Sequence, residues 1–246
     1  MSTASLRLEI AANSLGSALA AQDGGADRVE LCENLGEGGC TPSYGTLALA
    51  RERLRIGLHV LVRPRAGDFL YTPHEVETMR RDIALCARLG CDGVVIGALD
   101  ADGGIDLATC RPLVEAAAGL DVTFHRAFDA AREPMQALEQ VIALGCRRVL
   151  TSGARASAPE GADTIAALVR QSGGRIEVMA GAGITVDNIA ALARRIGVRD
   201  LHASAKQPAR SAMRWRNPDL AGLDVDWTAS DAATVAALRR ALDAAA

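Results

Sequence analysis

Eight times in succession, a short run of aliphatic residues gives way to a stretch with helical start and stop signals. No other feature of the chain constrains its fold as strongly. The strand-like runs are Leu6–Ile10, Arg28–Cys32, Leu58–Arg63, Gly93–Gly97, the stretch opening at Val122, Arg148–Ser152, Arg175–Ala180 and Leu201–Ser204. Helices are predicted from Asn13 to Gly24, after Thr41-Pro42, after Thr72-Pro73, from Leu107 to Ala118, from Pro134 to Gly145, from Ala162 to Gln171, from Thr185 to Arg195, and near Ala229 to Ala245. Pro42 is expected in a first helical turn, where its missing N–H costs nothing. No linker or shift in composition interrupts the series. Alternating βα units imply a parallel sheet, and eight of them in 246 residues close most simply into a (β/α)8 barrel. The expectation is therefore an α/β fold, a single TIM-type barrel over residues 1–246, with a doubly wound open sheet as the alternative. The stretch from Gln207 to Asp226 is too long for an ordinary βα loop and is expected to cap the barrel mouth or form an oligomer contact.

Composition narrows the partners. A formal net charge of −3 without a long basic run argues against nucleic acid. No signal peptide and no apolar run of membrane-spanning length are visible, so a cytoplasmic location without membrane attachment is expected. The six cysteines show no C-x-x-C spacing and are expected as free thiols in a reducing compartment. Lys206 is the only lysine and lies beyond the last strand, which disfavours Schiff-base chemistry. No organic cofactor is expected.

Alternate residues of a barrel strand face the interior and the helices. Putting the greasier residues under the helices leaves Arg7, Glu9, Arg28, Glu30, Cys32, His59, Arg63, Thr123, His125, Glu177, His202 and Ser204 inside. Buried charges demand pairing or a function, and barrel chemistry sits at the C-terminal ends of the strands. Arg7, Arg28, His59 and Glu177, near strand starts or middles, are expected to form a structural ion network. Glu9, Glu30, Arg63, Arg65, His125 and Ser204, at strand ends, are expected to form a pocket, and His202 falls between the two groups. Glu9 or Glu30 with His125 is the predicted acid–base set. The run Ala180-Gly181-Ala182-Gly183 before a helix suits an anion, or else only a tight turn. With Asp68, Arg126 and Thr151 added from neighbouring strand ends, the predicted anion-binding set is Arg63, Arg65, Asp68, Arg126, Thr151, Gly181, Gly183 and Ser204. Cys32 is the thiol best placed to hold a soft ion such as Cu(I), with Cys40 in the same loop.

Several longer motifs resemble those of the CutC copper homeostasis family. They include Glu30-Leu31-Cys32, Glu37-Gly38-Gly39, Arg63-Pro64-Arg65 with Gly67-Asp68-Phe69, and Thr123 to Asp129. Thr151-Ser152-Gly153, Met179 to Gly183 and His202-Ala203-Ser204 continue the match in order. The resemblance implies a cytoplasmic TIM-like barrel, a dimer or larger homo-oligomer such as a tetramer, and a role in copper homeostasis with Cu(I) held through cysteine. Only Cys32 lies within the family's E-L-C motif. Two functional expectations follow: a copper-binding protein with Cys32 as ligand, and a barrel enzyme acting on a small phosphorylated or carboxylated molecule.

Overall fold

In the computed structural model, which describes residues 5–219 and 226–245, eight parallel strands close into a barrel. They are β1 (Arg7–Ala12), β2 (Arg28–Leu31), β3 (Gly57–Leu61), β4 (Gly93–Ile96), β5 (Asp121–Phe124), β6 (Arg148–Thr151), β7 (Glu177–Gly181) and β8 (Asp200–Ala203). Each neighbours the next, and β1 pairs with both β2 and β8, which removes every open edge. The helices are α1 (Leu15–Asp23), α2 (Tyr44–Arg53), α3 (Pro73–Leu89), α4 (Leu107–Ala116), α5 (Pro134–Ala143), α6 (Ala162–Ser172), α7 (Ile189–Ile196) and α8 (Ala232–Asp243). Local chemistry sets their starts. Thr72 and Glu75 close a reciprocal capping box ahead of α3, with Pro73 in its first turn. Pro42 plays no such part: Ser43 caps α2, so the proline precedes the helix instead of opening it.

The alternation separates two kinds of interior. Leu8, Ile10, Val29, Leu31, Leu58, Val60, Val94, Ile96, Phe124, Val149 and Leu201 are buried beneath the helix layer. Inside the barrel, the end at the strand N-termini is filled with charge. Asp200 meets Arg7 at 2.7 Å and Arg148 at 3.2 Å, Arg7 meets Glu177 at 2.5 Å, and Arg148 meets Asp121 at 3.0 Å. His59 lies in the same interior, in space left by Gly93, where a Cβ would sit 2.7 Å from the imidazole.

After β8 the chain adds an antiparallel hairpin that the strand count does not contain, β9 (Lys206–Ala209) with β10 (Trp227–Ser230). It joins the two ends of the segment expected to cap the mouth; residues 220–225 of that segment lie outside the described residues. Among the described residues no helix is long and apolar enough to cross a membrane.

Candidate functional site at the barrel mouth

The parallel register decides which polar side chains meet. Glu9 on β1 lies opposite Arg28 on β2 and opposite His202 on β8, and bonds to both. Its Oε1 is 2.8 Å from His202 Nδ1, while His202 Nε2 is 3.3 Å from Glu30 Oε2. The imidazole is thus held between two buried carboxylates. Burial alone would strip its proton, but Glu30 and Glu9 outweigh that, and the His202 pKa is raised. The carboxylates divide. Glu9 is fully buried, yet Arg28 and His202 hold its pKa well below the usual range. Among the described residues Glu30 makes no ion pair with an arginine; burial pushes it up to about 7, His202 and Arg28 offset only part of that, and the charge of Glu9 adds to it. One carboxylate is a permanent anion that fixes the ring, and the other titrates near neutrality.

Glu30 and His202 line a cavity of about 730 Å³ at the C-terminal ends of the strands. Its wall also carries Cys32, Glu37, Arg63, Phe69, His125, Arg126, Asp129, Arg155, Gly183, Ser204 and Lys206. His125 and Cys32 therefore share one cavity. The loop after β5 is anchored by Asp129, which accepts from Thr151 Oγ1 at 2.5 Å, from Ser152 N–H and from Ala154 N–H at 3.1 Å, and from Arg126 at 2.8 Å.

His125 fits its wall because residue 97 has no side chain; a Cβ on Gly97 would lie 2.6 Å from the ring. Burial and nearby Arg63 push its pKa down to about 3. It is neutral near pH 7 and not suited to the acid–base part expected of it; His202 has the better geometry. Glu9 is likewise a poor acid or base, because its ion pair with Arg28 keeps it charged. Arg65 and Asp68 do not line the cavity: Arg65 bonds Asp68 at 2.8 Å and Glu75 at 2.5 Å over the start of α3. Thr151 is spent on Asp129, and Gly181 packs against Leu150 and His202. Gly183 does line the cavity, but at φ +71° with Ser157 close by, so the tight-turn reading also holds for it. Sequence reasoning missed Phe69, Arg155 and Lys206. The Gly-Asp-Phe motif and the lone lysine were the available signals.

Glu9, Glu30 and His202 offer donor atoms within 4.8 Å of one another, a spacing a metal ion can use. Two carboxylates and an imidazole are a hard to borderline set, matched to a divalent ion and not to Cu(I). The Arg28 guanidinium on Glu9 already supplies the positive charge a metal would bring. For Cu(I) the soft donor is Cys32, buried at 1% exposure, whose thiol is pushed up by burial, then by Glu30 and by Cys40. A thiol held protonated is a poor fit to Cu(I).

A model of the CutC family matches residues 6–207. The chain belongs to the CutC family. A CutC family protein of Xanthomonas campestris pv. campestris (strain B100) is 57% identical over 238 residues, covering 97% of this chain and 99% of the relative. The Chromobacterium violaceum member is 56% identical over 243 residues, 97% of this chain and 98% of its own. Among solved structures, the CutC protein of Streptococcus agalactiae, named for copper homeostasis, superimposes with a TM-score of 0.78 at 34% identity. It covers 81% of this chain and 98% of its own.

Proposed function

We propose that this CutC-family barrel binds a small phosphorylated or carboxylated molecule in its mouth and moves a proton on it, with Glu30 and His202 as the acid–base pair. One observation carries the reading: a buried carboxyl poised at about 7 and lying 3.3 Å from a held imidazole on a cavity large enough for a metabolite. A general acid or base works best when its pKa lies near the working pH. Arg155 and Lys206 on the rim form no salt bridge among the described residues and favour an anion. Calorimetry with a panel of sugar phosphates and small carboxylates tests binding. Proton NMR of the bound compound in D2O tests exchange of its carbon-bound protons. We expect binding that Glu30→Gln leaves in place and exchange that it abolishes; a panel with no ligand, or exchange indifferent to Glu30, would overturn the proposal.

Copper binding is the second reading. It is favoured by Cys32 on the cavity wall with Cys40 beside it in the loop that follows β2. An anaerobic Cu(I) titration of wild type and Cys32→Ser separates the two, because the anion reading expects the same copper affinity from both proteins. We further propose a cytoplasmic homo-oligomer, a dimer or tetramer. Met213, Trp215 and Trp227, at 63%, 72% and 56% exposure around the β9–β10 hairpin, support a covered face. A monomeric mass by light scattering would overturn that part.

A further inference from the structure

Two donors on the cavity wall are buried without a well-formed hydrogen bond among the described residues, although the phenol of Tyr71, also unpartnered, lies close to one of them, Arg63. The Nδ1 of His125 accepts the Ala127 N–H at 3.1 Å, so the neutral ring carries its proton on Nε2. That Nε2–H is buried without a hydrogen-bond partner among the described residues. Arg63, 4% exposed, is in the same condition. Its terminal nitrogens donate to the carbonyls of Glu37 and Gly39, both at 2.8 Å, and of Gly67 at 2.7 Å, which leaves its Nε–H unpartnered. Folded proteins rarely leave a buried donor unsatisfied, because its lost hydration is not repaid. Two of them, on the wall of one cavity, point to a ligand.

The side chain that covers both is Phe69. Its ring centroid is 5.1 Å from the centre of the His125 ring and 5.1 Å from the Arg63 guanidinium carbon. The Phe69 backbone is tied down, its carbonyl accepting from Leu99 N–H at 2.9 Å. A ligand that reaches both donors has to displace the Phe69 ring, and that backbone contact does not involve the ring.

We propose that His125 and Arg63 form a carboxylate-binding subsite beneath Phe69, a refinement that rests on reading the mouth as a site for a small anion. Charge selects the ligand class. The subsite holds one positive charge, on Arg63, and one neutral donor, so it matches a monoanionic carboxylate with two acceptor oxygens. A phosphate dianion would be left half compensated. Of the other polar walls, Asp129 is already saturated, Glu30 with His202 stands apart on β2 and β8, and Arg155 and Lys206 are exposed at the rim. The ligand is then held at its carboxylate by His125 and Arg63, with the rest of the molecule turned to Glu30. His125 serves as a binding donor and never changes its protonation state.

The full chain labelled with 15N-histidine tests this, with glycolate, a monoanionic carboxylate, and inorganic phosphate as probes. Wild type is expected to show His125 as the Nε2–H tautomer and to shift that signal as glycolate saturates. His125→Phe should weaken glycolate about tenfold to a hundredfold, the scale of a lost hydrogen bond to a charged group. His125→Gln, which keeps an N–H donor, should recover part of the loss, and Phe69→Ala should bind at least as tightly as wild type. These variants leave the carbonyl contacts of Arg63 intact, so they do not hinge on the folding of an Arg63 variant. An Nδ1–H tautomer, or glycolate bound by calorimetry with the His125 signal unmoved, would overturn the subsite. Phosphate binding without glycolate binding would overturn it while leaving the anion site standing. Failure of both probes, and of the wider panel, would remove both readings together.

Discussion

The two ends of the barrel interior use the same kinds of residue for opposite ends. At the strand N-termini, Arg7, Arg148, Asp121, Glu177 and Asp200 are locked into pairs between 2.5 and 3.2 Å. At the mouth, Glu30 answers only a histidine, and the Nε atoms of His125 and Arg63 answer nothing. Arg28 stands at the boundary, bonded to Glu9 above and 3.8 Å from Asp200 below. A network of ion pairs mostly specifies structure, whereas buried donors left without partners beside a cavity favour a ligand. The two ends differ in the degree of pairing: the closed end is ion-paired apart from His59 Nδ1, while at the mouth the buried His125 and Arg63 each leave an Nε atom open.

The largest expected effect attacks the closed end. Arg148→Met leaves Asp121 without a partner and Asp200 with Arg7 as its remaining close one, and should lower stability by about 3 kcal/mol in urea unfolding. Glu30→Gln at pH 8 should be neutral or stabilising by the same measurement, since it removes a buried charge with one histidine for company. Equal losses in the two variants would erase the distinction. Next, Gly97→Ala drives a methyl into the His125 ring and should cost about 1–3 kcal/mol by overpacking. A fully stable Gly97→Ala protein would mean that His125 is free to move.

The third prediction concerns pH. The folded pKa of Glu30, about 7, lies above its unfolded value, so between about 4.5 and 7 the folded state binds the extra proton. Stability from this group is present at low pH and is lost as pH rises through that window, by at most about 1.4 kcal/mol per unit. His202, also raised, acts with the same sign as pH climbs past its unfolded value. His125 and His59, pushed down to about 3 and about 4, act with the opposite sign below about 6.5, so the contribution of Glu30 is read as a difference: the urea midpoint of wild type relative to Glu30→Gln should fall between pH 5 and pH 8. Smallest of all, Arg155→Ala with Lys206→Ala should weaken anion binding a few-fold and respond to salt, since exposed charges contribute about 0–1 kcal/mol each. A collapse of binding in that double variant would move the anion site from the interior to the rim.

Much of this was legible in the chain. The eight βα units, the side of each strand that meets the helices, and the strand-end address of Glu30, Arg63 and His125 all follow from period-two alternation. The roles of Glu9 and His125 did not. Alternation tells which residues point inward but not how deep each sits or what lies beside it, and protonation depends on both. His202 illustrates the gap. It is 193 residues from Glu9, and no local pattern announces that closure of the barrel sets the two in register. Arg65 reads as an inward arginine until Glu75, the capping residue of α3, and Asp68 are found holding it outside. The β9–β10 hairpin was hidden for a similar reason, since its two short strands lie far apart in the chain, and Asn217-Pro218 between them marks a turn without saying which strands it joins.

The amino-acid order alone determined the architecture, because strand and helix periodicities are local and repeat often enough to leave one simple closure. The tertiary structure alone decided the chemistry. Burial and neighbouring charge move Glu9 and Glu30 in opposite directions, fix the His125 proton on Nε2, and leave two donors waiting under Phe69. Each of these depends on groups brought together from distant strands, in a register that only the closed barrel imposes.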